Sequence, residues 1–137
     1  MSPAVTDALT ERIGRIASVM PELQLIVLFG STARGRAGTQ SDVDVAVSTD
    51  ATADLDALYL ALAPAFRTDR LDIVNLRRAG PLLAFDIARS GVVLFERSPG
   101  IYRQFQSLAQ RKYADTKKLR DAQRRAIQVF LALEHRA

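Results

Sequence analysis

The sequence contains no cysteine and no tryptophan, and its single histidine, His135, lies near the C-terminus. The lack of cysteine excludes a disulfide scaffold, a thiolate metal site and a cysteine nucleophile. One terminal histidine leaves nothing on which to build a histidine triad or a histidine-ligated metal. No apolar run reaches the roughly 18 residues of a membrane-spanning helix, and the N-terminus lacks a basic region followed by an apolar stretch. Neither a membrane span nor a signal peptide is read, so a cytoplasmic location is expected. Internal repeats and low-complexity segments are also missing. What remains is ordinary globular material: 137 residues, 48% hydrophobic and 25% charged. That is enough for one domain with a substantial core.

The net charge of +4 is unevenly placed. Residues 1–96 carry 9 Arg against 12 Asp and Glu, a balance of −3. Residues 97–137 carry 10 Lys and Arg against 3 Asp and Glu, a balance of +7. A basic tail on a mildly acidic body points to an acidic or polyanionic partner; a solvated helix face is the plain alternative. Nucleic acid is the less favoured partner. The tail's aromatics, Tyr102, Phe105, Tyr113 and Phe130, mostly follow its apolar stripe rather than interleaving with the charges as stacking platforms.

Apolar spacing predicts a helix over 6–20, capped by Thr6 and closed by Pro21, then a buried strand over 23–29 ending at Gly30. A valine-rich strand follows over 43–47, then a helix over 53–63 with Asp54 and Asp56 in its first turn. A third strand is read over 71–76. Pro81 opens a helix that Gly91 stops, and a fourth strand covers 92–95. From Ile101 to Ala137 there is neither glycine nor proline, and apolar residues step by three or four. One continuous helix there would be roughly 50 Å long, so it either bends around residues 113–116 or projects from the body. The expected architecture is α/β: a small mixed sheet flanked by helices. Residues 1–97 form the core, and 98–137 form a basic amphipathic helical extension of the same domain.

The segment from Gly30 to Val47, GSTARGRAGTQSDVDVAV, carries the chemistry. A buried strand running into Gly30-Ser31 and a possible helix start offers backbone N–H groups and a hydroxyl, a usual way to cradle phosphate. The turn-forming stretch after it delivers Asp42 and Asp44 to the head of a strand, where the period of two puts both carboxylates on one face. Paired aspartates on a strand are unfavourable unless a cation relieves them. Mg²⁺ suits such a site, because it takes a few carboxylates together with substrate phosphates. A third carboxylate, Asp72, interrupts an otherwise apolar strand. Beside the other two it would complete a two-metal site for in-line attack at phosphorus. It could instead pair with Arg70 or Arg77. Ser31 could serve as a helix cap as readily as a phosphate ligand. Arg34 either binds a triphosphate or holds Asp42 or Asp44 in place. Tyr59, Tyr102 and Tyr113 read as packing residues.

Gly30-Ser31, ten intervening residues, then Asp42-Val43-Asp44 resembles the signature of the nucleotidyltransferase superfamily related to DNA polymerase β. With Ala33-Arg34-Gly35 and Ser41 added, it looks like the minimal nucleotidyltransferases (MNT), the MntA-type antitoxins usually encoded beside a HEPN-domain ribonuclease toxin. The resemblance implies transfer of AMP from ATP to a tyrosine hydroxyl of that toxin. It assigns Gly30 and Ser31 to the triphosphate and Asp42 and Asp44 to Mg²⁺. It assigns Asp72 to the metal near the acceptor, with two ions in all. Two rivals stand beside it. One is an antitoxin that blocks its partner by contact alone, which intact Asp42, Asp44 and Asp72 disfavour. The other is an aminoglycoside-type nucleotidyltransferase, for whose second domain the chain has little room.

Overall fold

A computed structural model describes residues 3–30, 42–50 and 53–136. The elements follow in the order α1 (Pro3–Val19), β1 (Leu23–Phe29), β2 (Val43–Thr49), α2 (Leu55–Phe66), β3 (Leu71–Asn75), α3 (Pro81–Ser90), β4 (Val92–Glu96), α4 (Ile101–Asp115) and α5 (Lys117–Glu134). The strands form one sheet in the order β3-β2-β1-β4. β1 is antiparallel to β2 and to β4, while β2 and β3 run parallel. The sheet is therefore mixed, as the sequence predicts. One end of it gathers the C-terminal end of β1 and the first residues of β2, β3 and β4.

Each sheet face is covered. Leu23, Ile26 and Leu28 of β1, with Val45 and Val47 of β2, pack against Leu9 and Ile13 of α1 and Leu58 and Leu62 of α2. Leu25, Val27 and Phe29 point the other way, where Ala46, Ile87 of α3, and Ile101 and Phe105 of α4 meet them. β1 is thus buried on both sides, which explains its unbroken apolar run. Each large side chain hidden there contributes on the order of 1.5–3 kcal/mol relative to exposure.

Several boundaries differ from the sequence reading. α1 starts at Pro3 rather than at a Thr6 cap; proline is tolerated in a first helical turn. Asp54 lies just outside α2 and caps it, its carboxylate accepting from the N–H groups of Asp56 and Ala57. α2 continues past Pro64 and stops at Arg67, whose φ of 53° is left-handed. Gly91 does follow α3, but in extended backbone with φ −73°, so freedom of rotation is not its contribution. A Cβ there would run into the Val27 side chain and the Ile87 carbonyl. The tail breaks once. Thr116 Oγ1 donates back within the last turn of α4, to the Lys112 carbonyl at 2.9 Å. The Arg120 guanidinium reaches from α5 to the Tyr113 carbonyl at 2.8 Å and lies 3.9 Å over the Tyr113 ring. No helix among the described residues is long and apolar enough to cross a membrane.

Arg97 closes the frame. From the end of β4 its guanidinium donates to the carbonyls of Leu23 (3.1 Å), Ala17 (2.9 Å) and Met20 (3.0 Å), and lies 4.9 Å from the Phe95 ring centroid. Ala17 lies in the last turn of α1 and Met20 just after it, at the helix end where a cation is favoured. Arg97→Ala should therefore lower unfolding stability in urea by about 1.5–3 kcal/mol, the range for charged hydrogen bonds. A loss within experimental error would show these bonds to be replaceable by water.

Candidate active site

The sequence-predicted residues that are described converge at the gathered end of the sheet. Gly30 directly follows β1, Asp42 directly precedes β2, Asp44 is the second residue of β2 and Asp72 the second of β3. Asp44 stands opposite Phe29 in the antiparallel ladder and abreast of Asp72 in the parallel one. The Val43 N–H donates to the Arg70 carbonyl at 2.9 Å, fixing the two strands in this register at their first residues. Asp42 and Asp44 share a face by strand period, and Asp72 lies on that same face beside Asp44. Asp44 is half-buried, whereas Asp42 and Asp72 are exposed. Ser31 and Arg34 lie outside the described residues.

Gly30 has a role that the sequence reading did not assign. Its φ of +77° favours glycine, and a Cβ there would come 2.5 Å from Asp44 Oδ2. The backbone after β1 is thus pressed against the carboxylate, and any side chain would displace it. The only sequence signal is a glycine ending an apolar run, which a phosphate-binding turn predicts equally well.

Burial raises the pKa of Asp44, and the neighbouring charges of Asp72 and then Asp42 raise it further. Three carboxylates at one strand end are a hard oxygen donor set whose mutual repulsion a divalent cation would relieve. No group of three or more His, Asp or Glu side chains among the described residues is closed enough to hold an ion as it stands. The donor chemistry and the raised pKa of Asp44 fit such an ion, and Asp42, Asp44 and Asp72 are the side chains that would hold it.

The tyrosines are structural, as expected. The Tyr102 hydroxyl donates to the carbonyls of Ile87 (3.0 Å) and Ala88 (3.2 Å), and burial pushes its pKa up. Tyr113 stacks on Phe85 with ring centroids 4.0 Å apart, and Tyr59 packs on the first core. Asp72 forms no ion pair with Arg70 or Arg77 among the described residues.

This arrangement has relatives. The polymerase beta nucleotidyltransferase family model matches residues 11–100. The chain belongs to that family. It is 31% identical over 131 residues, spanning 85% of this chain and 86% of the other, to the protein adenylyltransferase MntA of Aphanizomenon flos-aquae. A crystal structure of a toxin–antitoxin complex with AMP-PNP contains a chain that superposes with a TM-score of 0.72 at 28% identity, covering 87% of this chain and 98% of that one. A tri-AMPylated HEPN toxin of Shewanella oneidensis in complex with MNT antitoxin gives a TM-score of 0.69 at 25% identity, over 90% and 98% of the two chains.

The raised pKa of Asp44 has a consequence for stability. The native state binds this proton more tightly than the unfolded chain, so stability is gained below the ordinary carboxylate value of 3.8. That gain is lost as pH rises through the raised native value. At neutral pH, without metal, ionised Asp44 opposes folding. Asp44→Asn should then melt above the wild type at pH 7 in chelator, and the difference should shrink toward acid pH. A variant less stable than the wild type under those conditions would contradict the charge crowding.

Proposed function

We propose that the chain is a protein adenylyltransferase and the antitoxin of a cytoplasmic toxin–antitoxin pair. In this reading it transfers AMP from ATP to a tyrosine hydroxyl of a HEPN ribonuclease toxin and so neutralises it. The observation that carries the reading is the placement of Asp44 abreast of Asp72, with Gly30 pressed against Asp44. Its relatives are adenylyltransferases and antitoxins in complex with toxin.

In this reading Gly30 and Ser31 hold the β- and γ-phosphates, and Arg34 either binds the triphosphate or holds Asp42 or Asp44 in place. Asp42 and Asp44 would hold one Mg²⁺ ion and Asp72 would hold a second. Such ions supply Lewis-acid stabilisation of the charge that develops at phosphorus. Asp72, exposed at the strand end, takes the proton from the tyrosine hydroxyl. The hydroxyl oxygen bonds to the α-phosphorus, the bond to pyrophosphate breaks, and pyrophosphate leaves with the electron pair. Asp42→Asn should abolish transfer of labelled AMP to the toxin and weaken binding of Mg²⁺-ATP in calorimetric titration. Asp72→Asn should abolish transfer while largely sparing that binding. Equal loss of nucleotide affinity in both variants would move Asp72 to the donor side.

Within the reading, residues 1–97 are the catalytic core and 98–137 the basic extension. α4 is packed on α3, with Ala109 buried against Ala84 and Ala88. α5 has no buried residue, and Leu119, Ile127, Phe130 and Leu133 are all exposed. An amphipathic helix with a bare apolar stripe needs a partner to cover it. Lys117, Lys118, Arg120, Arg124 and Arg125 flank the stripe on α5, and Arg111 and Lys112 continue the basic charge on α4. An acidic toxin surface suits these cations. Reversing Lys117, Lys118, Arg124 and Arg125 to Glu should slow association with the toxin at low salt and much less at high salt. The reason is that the screening length at physiological ionic strength is roughly 8 Å. Association rates unchanged at every salt concentration would place the docking surface elsewhere.

A further inference from the structure

On the sheet face that carries the carboxylates, the row Asp72, Val74, Leu76 runs along β3 and past its end. Four residues from Asp72 to Leu76 span roughly 13 Å at about 3.3 Å per residue. At Leu76 the row meets a cavity of about 420 Å³ between the sheet and α4. This volume falls within the roughly 300–1,000 Å³ of sites that take a ligand. Its floor is apolar, with Leu76, Phe105 and Leu108, and Ser48 forms one wall. Its rim carries Arg77 and Lys112, both exposed and neither in an ion pair among the described residues. An apolar floor beneath two unpaired cations is complementary to an apolar side chain next to a carboxylate.

Resting on the adenylyltransferase reading, we infer that this cavity is the docking site for the acceptor polypeptide. A segment of the substrate protein seats an apolar residue on Leu76, Phe105 and Leu108 and an acidic residue between Arg77 and Lys112, about four residues from the tyrosine delivered to Asp72. The occupant is a polypeptide because cavity and carboxylate share one strand row at a spacing that an extended chain covers. The acid belongs to the acceptor because neither rim cation has an ion-pair partner among the described residues. The cavity selects which tyrosine is modified; it does not touch the reacting atoms.

Two measurements test this. With the HEPN toxin as acceptor, the double variant Arg77→Glu/Lys112→Glu should raise the acceptor KM at least tenfold and keep kcat at saturation. Fluorescence anisotropy should then be measured on the full chain with two labelled Gly-Ser peptides, each holding one tyrosine and a Leu-Asp pair four residues before or after it. One of them should bind, at least tenfold more weakly to the double variant, and should regain affinity there when its Asp is replaced by Lys. Failure of both peptides to bind the wild type would overturn the proposal. So would toxin kinetics with an unaltered acceptor KM in the double variant. Self-association that Leu108→Glu abolishes would assign the cavity to a second copy of the chain and equally overturn it. Absence of any transfer by the wild-type chain would instead overturn the underlying adenylyltransferase reading.

Discussion

Two carboxylates held abreast on neighbouring parallel strands set the conditions for everything at this end of the molecule. Asp44 and Asp72 are in register, and Gly30 is pressed against Asp44 from the adjoining strand. Burial and like charge both oppose ionisation of Asp44. A folded protein keeps such an arrangement only if the surrounding structure over-determines it. Under the proposed function, that repulsion is what a divalent cation bound with a polyphosphate would relieve.

The over-determination comes from the sheet. β1 is buried on both faces between α1 and α2 on one side and α3 and α4 on the other, so it cannot slide. A shift of one residue would turn every side chain to the opposite face. β2 is locked to β1 by antiparallel pairing and to β3 from its first residue by the Val43–Arg70 bond. At the far end, Arg97 ties β4 to β1 and to the end of α1. The carboxylates thus rest on strands whose register the core dictates, with Asp44 half-buried and Asp42 and Asp72 exposed at the strand ends.

Much of this was legible in the residues. The run Leu23–Phe29 announces a strand buried on both faces, and the valines after Asp42 announce the next one. Asp72 stands out because a carboxylate in an apolar strand needs a reason. Its placement beside Asp44 was not legible, because strand order and parallel pairing depend on the crossover through α2 rather than on local pattern. Gly91 stops the helix as read, but its packing role was not legible for a related reason. A Cβ at Gly91 would run into the Val27 side chain, a contact between residues distant in sequence. Likewise the Gly30 contact with Asp44 and the grip of Arg97 on three carbonyls are long-range facts. The spacing of the tail left it either bent near residues 113–116 or projecting from the body. It could not show that α4 is packed and α5 bare.

A catalytic antitoxin differs from one that acts by contact alone in what it leaves on its partner. Intact-mass spectrometry of the HEPN toxin, taken after incubation with this chain, Mg²⁺ and ATP, reads that difference directly. The account predicts a toxin heavier by one or more AMP units, mapped to tyrosine, that stays inactive after the antitoxin is removed. A toxin of unchanged mass that regains ribonuclease activity once the antitoxin is removed would contradict it.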